Sequence, residues 1–174
     1  MRNANYTSAI YLSEKDDSKL RELFLKYLRD IFWVEKLQVK TLPKLVQASA
    51  TEDLKDTFQI HLIETEDHVC RVMRVFDMMG EKAQAKQCLP IEGLFEEGDE
   101  LIHLTEEGSL GRDCGLIMTA QKLEHYEIAS YTTLRNIARL MGNADAAKIL
   151  QSIIDEEGIA NNKLTMLMQS HINH

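Results

Sequence analysis

"QKLEHYEIASY", residues 121–131, decides how the chain is read, because it sets Glu124 and Glu127 three residues apart where apolar side chains recur at helical spacing. Three residues along a helix bring a side chain back to within about 60° of its starting direction, so the two carboxylates share a face. On a water-facing stripe they would carry no message. On a core-facing stripe each needs a partner, because a lone buried carboxylate is costly and takes up a proton instead. A metal ion is one such partner. The register favours the core: Ala120, Glu124, Glu127, Tyr131, Leu134, Ala138 and Met141 step by four and three without a break, which predicts a helix from about Asp113 to Met141.

Working outward, Gly142 and Asn143 make a short turn into a further helix, Ala144 to about Gln169, with Leu150, Ile153, Glu157, Ala160, Leu164 and Leu167 along its seam. Upstream, Ser18 to Ala48 carries Phe24, Leu28, Ile31, Glu35, Gln38, Leu42 and Leu45 at the same spacing, and Pro43 predicts a kink or a stop near its end. Ser49 and Glu52 have the spacing of a capping box, so a second helix is expected from about Ala50 to Gly80, its seam including Leu54, His61, Glu64, His68 and Val75. Residues 81–112 form a long connection containing one short amphipathic piece, "LFEEGDELIHL". Four long helices joined short, long, short define an all-α four-helix bundle with one crossover between helices 2 and 3.

Composition agrees. The chain of 174 residues has only two prolines and eight glycines, few aromatics, and a size suited to one domain with a real core. We expect residues 18–174 to form that domain and residues 1–17 to be a mobile polar arm. A net charge of −8 without a Lys/Arg block argues against nucleic acid. Three cysteines in no C-x-x-C pair suit a reducing compartment, and neither a signal-length apolar run nor a membrane-length one occurs, so a soluble cytoplasmic protein is expected.

The halves echo one another. "VEKLQVKTL" lies over "YEIASYTTL", equating Glu35 with Glu127, and Glu35 to Glu64 spans 29 residues where Glu127 to Glu157 spans 30. Two such hairpins bring four glutamates to one level. In di-metal bundles two helices each give a glutamate and two give a glutamate with a histidine three residues later; four carboxylates roughly neutralise two divalent ions, about 4 Å apart. Here the histidine offset is missing, since Asp67 follows Glu64 and Ala160 follows Glu157. The extra ligand-type groups stand three residues before instead, as His61 and Glu124. His125 points about 100° away and reads as a surface or supporting group. Tyr131, one turn beyond Glu127, suits core packing or a hydrogen bond to a ligand carboxylate.

The segments "AQKLEHYEIASYTTL", "HLIETEDHV", "IEGLFEE" and "DEEGIANNKLT" resemble the motifs of the YciF/YciE-like stress-protein family of ferritin-like four-helix proteins, over about residues 18–169. The resemblance carries over His61 and Glu64, Glu124 and Glu127, Glu35 from "VEKLQ", and Glu156 or Glu157 from the double glutamate. His68 stands where the family more often has glutamine, and Asn161 where an aspartate is common. The resemblance implies a homodimer linked to stress. Together with the seam carboxylates it leads to an expected centre of two iron or manganese ions on Glu35, His61, Glu64, Glu124, Glu127 and Glu157, acting on oxygen or peroxide. The competing expectation is a helical dimer that works through its surface around an empty or vestigial site.

Overall fold

The computed structural model describes residues 14–172. Among them the chain forms five α-helices and no strand: α1 (Glu14–Ala48), α2 (Glu52–Met78), α3 (Leu89–Leu104), α4 (Leu110–Leu140) and α5 (Ala144–Ile172). The all-α expectation is met, and the four long helices fall on the four periodic segments. The long connection holds α3, a longer helix than the amphipathic piece foreseen there. α1 starts inside the stretch assigned to the arm, and residues 1–13 lie outside the described residues. None of these helices is long and apolar enough to cross a membrane.

Local signals acted as expected at one end of α2 and failed at the other. Gly80, at φ +68°, ends the helix in the left-handed region that glycine enters without strain, and Glu81 N–H reaches back to Phe76 O at 3.0 Å. At the start the Ser49–Glu52 capping box is not formed. The Ser49 hydroxyl instead donates to Leu45 O at 2.7 Å, and Thr51 precedes the helix without capping it. Asp113, from α4 and 0% exposed, supplies the cap: its carboxylate accepts from Ala50 N–H at 2.6 Å, Thr51 N–H at 2.9 Å and the Thr51 hydroxyl at 2.7 Å. A negative group there also suits the positive end of the helix dipole. A contact 62 to 63 residues away in the chain thus takes the place of a local one.

Pro43 does not stop α1, which runs on to Ala48. Leu42, Leu45 and Val46 pack with Leu54, Phe58 and Leu116, and burying those side chains offsets the hydrogen bond a proline removes. The helices pair as α1 with α2 and α4 with α5; α2 also packs on α5, α1 on α4, and α3 lies along α4. Gly115 permits that last approach, since a Cβ there would strike Leu101 of α3. Buried Arg112 secures the far end of α3, donating to Ile102 O at 2.8 Å and to the Thr105 hydroxyl at 3.0 Å.

The apolar core comes in two parts. One gathers Phe24, Leu28, Ile31, Val72, Phe76, Leu134 and Ile153; the other gathers Leu42, Leu54, Phe58, Leu116, Ile117 and Leu164. Between them, along all four long helices, runs a layer of buried polar side chains. Removing the interhelical cap tests how the layer's helices are held in register: Asp113→Ala should cost about 2–4 kcal/mol in urea unfolding, and Asp113→Asn less, because the amide keeps one acceptor.

Candidate metal centre

The polar layer contains Glu35 and Gln38 from α1, His61 and His68 from α2, Glu124, Glu127 and Tyr131 from α4, and Glu157 from α5, none more than 5% exposed. Each sits where its helix's apolar seam would otherwise place a leucine. Two trios emerge. Glu35, His68 and Glu157 offer ligand-type atoms all within 4.8 Å of one another, and so do His61, Glu124 and Glu157, so Glu157 belongs to both. His68 Nδ1 lies 3.0 Å from a Glu157 oxygen and 3.4 Å from a Glu35 oxygen, and His61 Nε2 lies 3.1 Å from Glu124.

Five of the six sequence-predicted residues therefore meet in the interior: Glu35, His61, Glu124, Glu127 and Glu157. Glu64 does not join them directly. Its side chain is 36% exposed and stands 3.7 Å from His61 Nδ1. Helical geometry gives the reason: His61 and His68 are seven residues apart and point within about 20° of each other, whereas Glu64 is rotated about 60° from His61. His125 is exposed and bonded to Gln121 O, consistent with its rotation off the seam. Of the adjoining pair, Glu157 is buried and Glu156 is 32% exposed at the side chain.

Supporting groups hold these side chains in place. Tyr131 donates its hydroxyl to Glu35, and Gln38 donates to Glu127 at 2.5 Å while its carbonyl oxygen lies 3.2 Å from His61 Nε2. Glu156 lies 2.9 Å from His68 Nε2 and is itself gripped by both terminal nitrogens of Arg71. That contact leaves the other ring nitrogen, Nδ1, facing Glu35 and Glu157. A carboxylate behind an imidazole in this way fixes its tautomer and orientation, the arrangement common behind metal-binding histidines.

The electrostatics record an excess of acid. Burial, followed by the charges of Glu157, Glu35 and Glu124, pushes Glu127 well above the ordinary carboxylate range. Burial also raises Glu35, despite the opposing pull of His68. Burial and Glu124 carry Glu157 up to about 7. Burial alone would lower both histidines, but Glu124 holds His61 well above its usual value, and Glu157 and Glu35 raise His68 to about 10. Arg71 and His68 outweigh burial at Glu156 and keep it low. Protons are retained where carboxylates crowd.

Whether a cation suits this layer is decided by the atoms left over. Glu35 Oε2, Glu124 Oε2, Glu127 Oε1 and Glu157 Oε2 are buried and make no hydrogen bond, and the Nδ1 atoms of His61 and His68 face carboxylate oxygens, of Glu64 at 3.7 Å and of Glu157 at 3.0 Å. Native interiors leave few such atoms. Oxygen-rich sites with one or two imidazoles match iron, manganese and similar divalent ions. The residues fit.

A helical protein with a buried carboxylate–histidine layer is the class that fold and site define. Residues 19–174 match the family described as "Domain of unknown function (DUF892)", and the chain belongs to that family, the YciF-like group its motifs resemble. It is 38% identical to Protein YciF of Escherichia coli (strain K12) over 155 residues, covering 88% of this chain and 93% of that one. The crystal structure of that protein, described as a stress protein, matches with a TM-score of 0.84, covering 88% of this chain and 97% of that one. YcfI from Rhodopseudomonas palustris matches at 33% identity and a TM-score of 0.81, with 88% and 98% covered.

The metal-free layer should respond to pH in a defined direction. Glu157 and His68 both hold protons more tightly folded than unfolded, so their stabilising contributions are complete below their unfolded values, near 4.5 and 6.5, and disappear as pH rises through about 7 and about 10. Thermal unfolding in a chelator should show the midpoint falling steadily from pH 6 to pH 10. His68→Gln should flatten the upper part of that fall.

Proposed function

We propose that this protein is a ferritin-like di-metal carboxylate protein of the stress response, with α1, α2, α4 and α5 as the bundle and the α2–α4 connection as its crossover. The observation that carries the reading is Glu157, a fully buried carboxylate shared by two ligand trios in one layer. Glu35, His68 and Glu157 would hold one ion, and His61, Glu124 and Glu157 the other. Glu127 lies in the same layer, within reach of the charges of Glu157, Glu35 and Glu124, and Glu64 at the rim would close the outer side beside His61. Bound iron or manganese would supply redox exchange with oxygen or peroxide, in the manner of an oxidase, peroxidase or ferroxidase.

The chain's own groups prepare that centre. Gln38 fixes one oxygen of Glu127 and leaves the other free, Tyr131 does the same for Glu35, and Glu156 turns His68 so that Nδ1 faces inward. The layer lies buried between the two apolar parts of the core, and that low-dielectric setting strengthens the charge interactions within it. A homodimer, in the cytoplasm, completes the proposal. It is supported by exposed apolar side chains on the packed helices α2 and α5, with Ile63 61%, Ile159 66% and Met166 69% exposed. The same surface supports the second reading, an interaction protein whose layer binds nothing.

Metal analysis after reconstitution separates the two. The first reading expects about two equivalents of iron or manganese per chain, with Glu157→Ala losing both because it is shared and Glu35→Ala losing about one. Less than a tenth of an equivalent in the wild-type chain leaves only the surface role. Glu156→Ala, which touches no proposed ion, should weaken binding about 10- to 100-fold by freeing the His68 ring, as titration calorimetry would measure.

A further inference from the structure

We propose that Glu64 is the entry group through which divalent cations reach the buried layer, passing from its carboxylate to the ring of His61; this rests on the metal reading above and adds a route to it. Among the described residues two part-exposed carboxylates reach the layer's imidazoles from outside: Glu64 beside His61 and Glu156 beside His68, with side chains 36% and 32% exposed. They differ in what accompanies them. Arg71, 13% exposed at the side chain, grips Glu156 with both terminal nitrogens and holds Asp67 through Nε at 2.7 Å, so a fixed positive charge covers the His68 side. Glu64 has His61 as its ion-pair contact and, among the described residues, no lysine or arginine within reach. Its charge is left for an ion arriving from solvent.

The two histidines repeat the contrast. His68 has both ring nitrogens engaged, Nε2 with Glu156 at 2.9 Å on the outer side and Nδ1 with Glu157 at 3.0 Å within the layer. His61 is 5% exposed, and its Nε2 lies 3.1 Å from Glu124 inside. Its outward nitrogen, Nδ1, is buried, makes no hydrogen bond, and points at Glu64 across 3.7 Å, a separation too long for one. A carboxylate open to water thus stands in front of an unclaimed imidazole nitrogen, and the same ring touches the layer with its other edge. The rotation of Glu64 off the α2 seam is what gives it this place, since a fully inward carboxylate would not meet solvent. Charge at the mouth of a site changes the entry rate of an ion by about 10- to 1,000-fold, so cations are drawn to the Glu64 side and repelled at the Arg71 side.

The test is the rate of metal uptake by the full chain. Metal-free protein is mixed with cobalt(II) in a stopped-flow instrument, the visible absorbance of the bound ion reports uptake, and bound equivalents and affinity are measured at equilibrium. Glu64→Gln should slow uptake and chelator-driven release together by about tenfold, with the equivalents bound and the affinity kept, because a group that only passes the ion on lowers the barrier in both directions. Glu64→Lys, which puts a positive charge at this mouth as Arg71 does at the other, should slow uptake by about a hundredfold. Glu66→Gln removes the same charge from the exposed side of α2 and should leave the rate as it is. An unchanged rate in Glu64→Gln, or equal slowing in Glu66→Gln, overturns the entry role. Loss of a bound equivalent in Glu64→Gln also overturns it, by making Glu64 a resident ligand. A wild-type chain that binds neither cobalt(II) nor iron(II) overturns the metal reading and this inference together.

Discussion

Four carboxylates in one dry layer cannot all remain charged, and much of the structure follows from that constraint. Bulk water at the layer would relieve it, but the side chains are buried between two apolar parts of the core. What remains are protons, imidazolium groups and cations. The folded chain without metal uses the first two: Glu127, Glu35 and Glu157 hold protons above their ordinary range, and His61 and His68 are kept protonated by the acids around them. Each proton occupies an atom that could bind an ion, so metal uptake and proton release are two sides of one exchange. Replacing buried ionic groups by well-packed apolar ones is often neutral or stabilising. A chain that keeps four buried acids instead has its interior arranged for something other than stability.

Much of this was legible in the sequence because helical periodicity is a geometric statement. Glu35, Glu124, Glu127 and Glu157 each interrupt an apolar seam, and a side chain on a seam faces the core whatever its polarity. Periodicity is less able to decide a position 60° off the seam centre. Glu124 and Glu127 are both buried because α4 is packed by α1, α3 and α5, whereas Glu64, with the same three-residue offset from His61, lies at the edge of α2. How widely a helix is covered depends on its neighbours, and one sequence does not list them.

His68 stands on the same seam, seven residues beyond His61, a spacing that brings it to the same face and into the layer. In the sequence Gln38 only completes a run of spacings, and its place as a buried amide between a carboxylate and an imidazole depends on partners from other helices. The Ser49–Glu52 capping box failed for a different reason. Local motifs compete with tertiary partners, and a buried aspartate offering three contacts is the stronger one. The sequence offers Glu156 and Glu157 as alternatives; in the fold Glu157 faces inward and Glu156 contacts His68 and Arg71 from the outer side.

The division of the core into two apolar compartments has a bearing on how the molecule breathes. In an ordinary helix exchange of amide hydrogens is quickest at frayed ends, and the middle is protected longest. Here the middle turns of all four long helices carry the buried acids and imidazoles, while the apolar packing lies toward the extremities. A chain starved of ions should therefore loosen from its waist outward, opening around residues 35, 61–68, 124–127 and 157 while both hydrophobic poles stay closed.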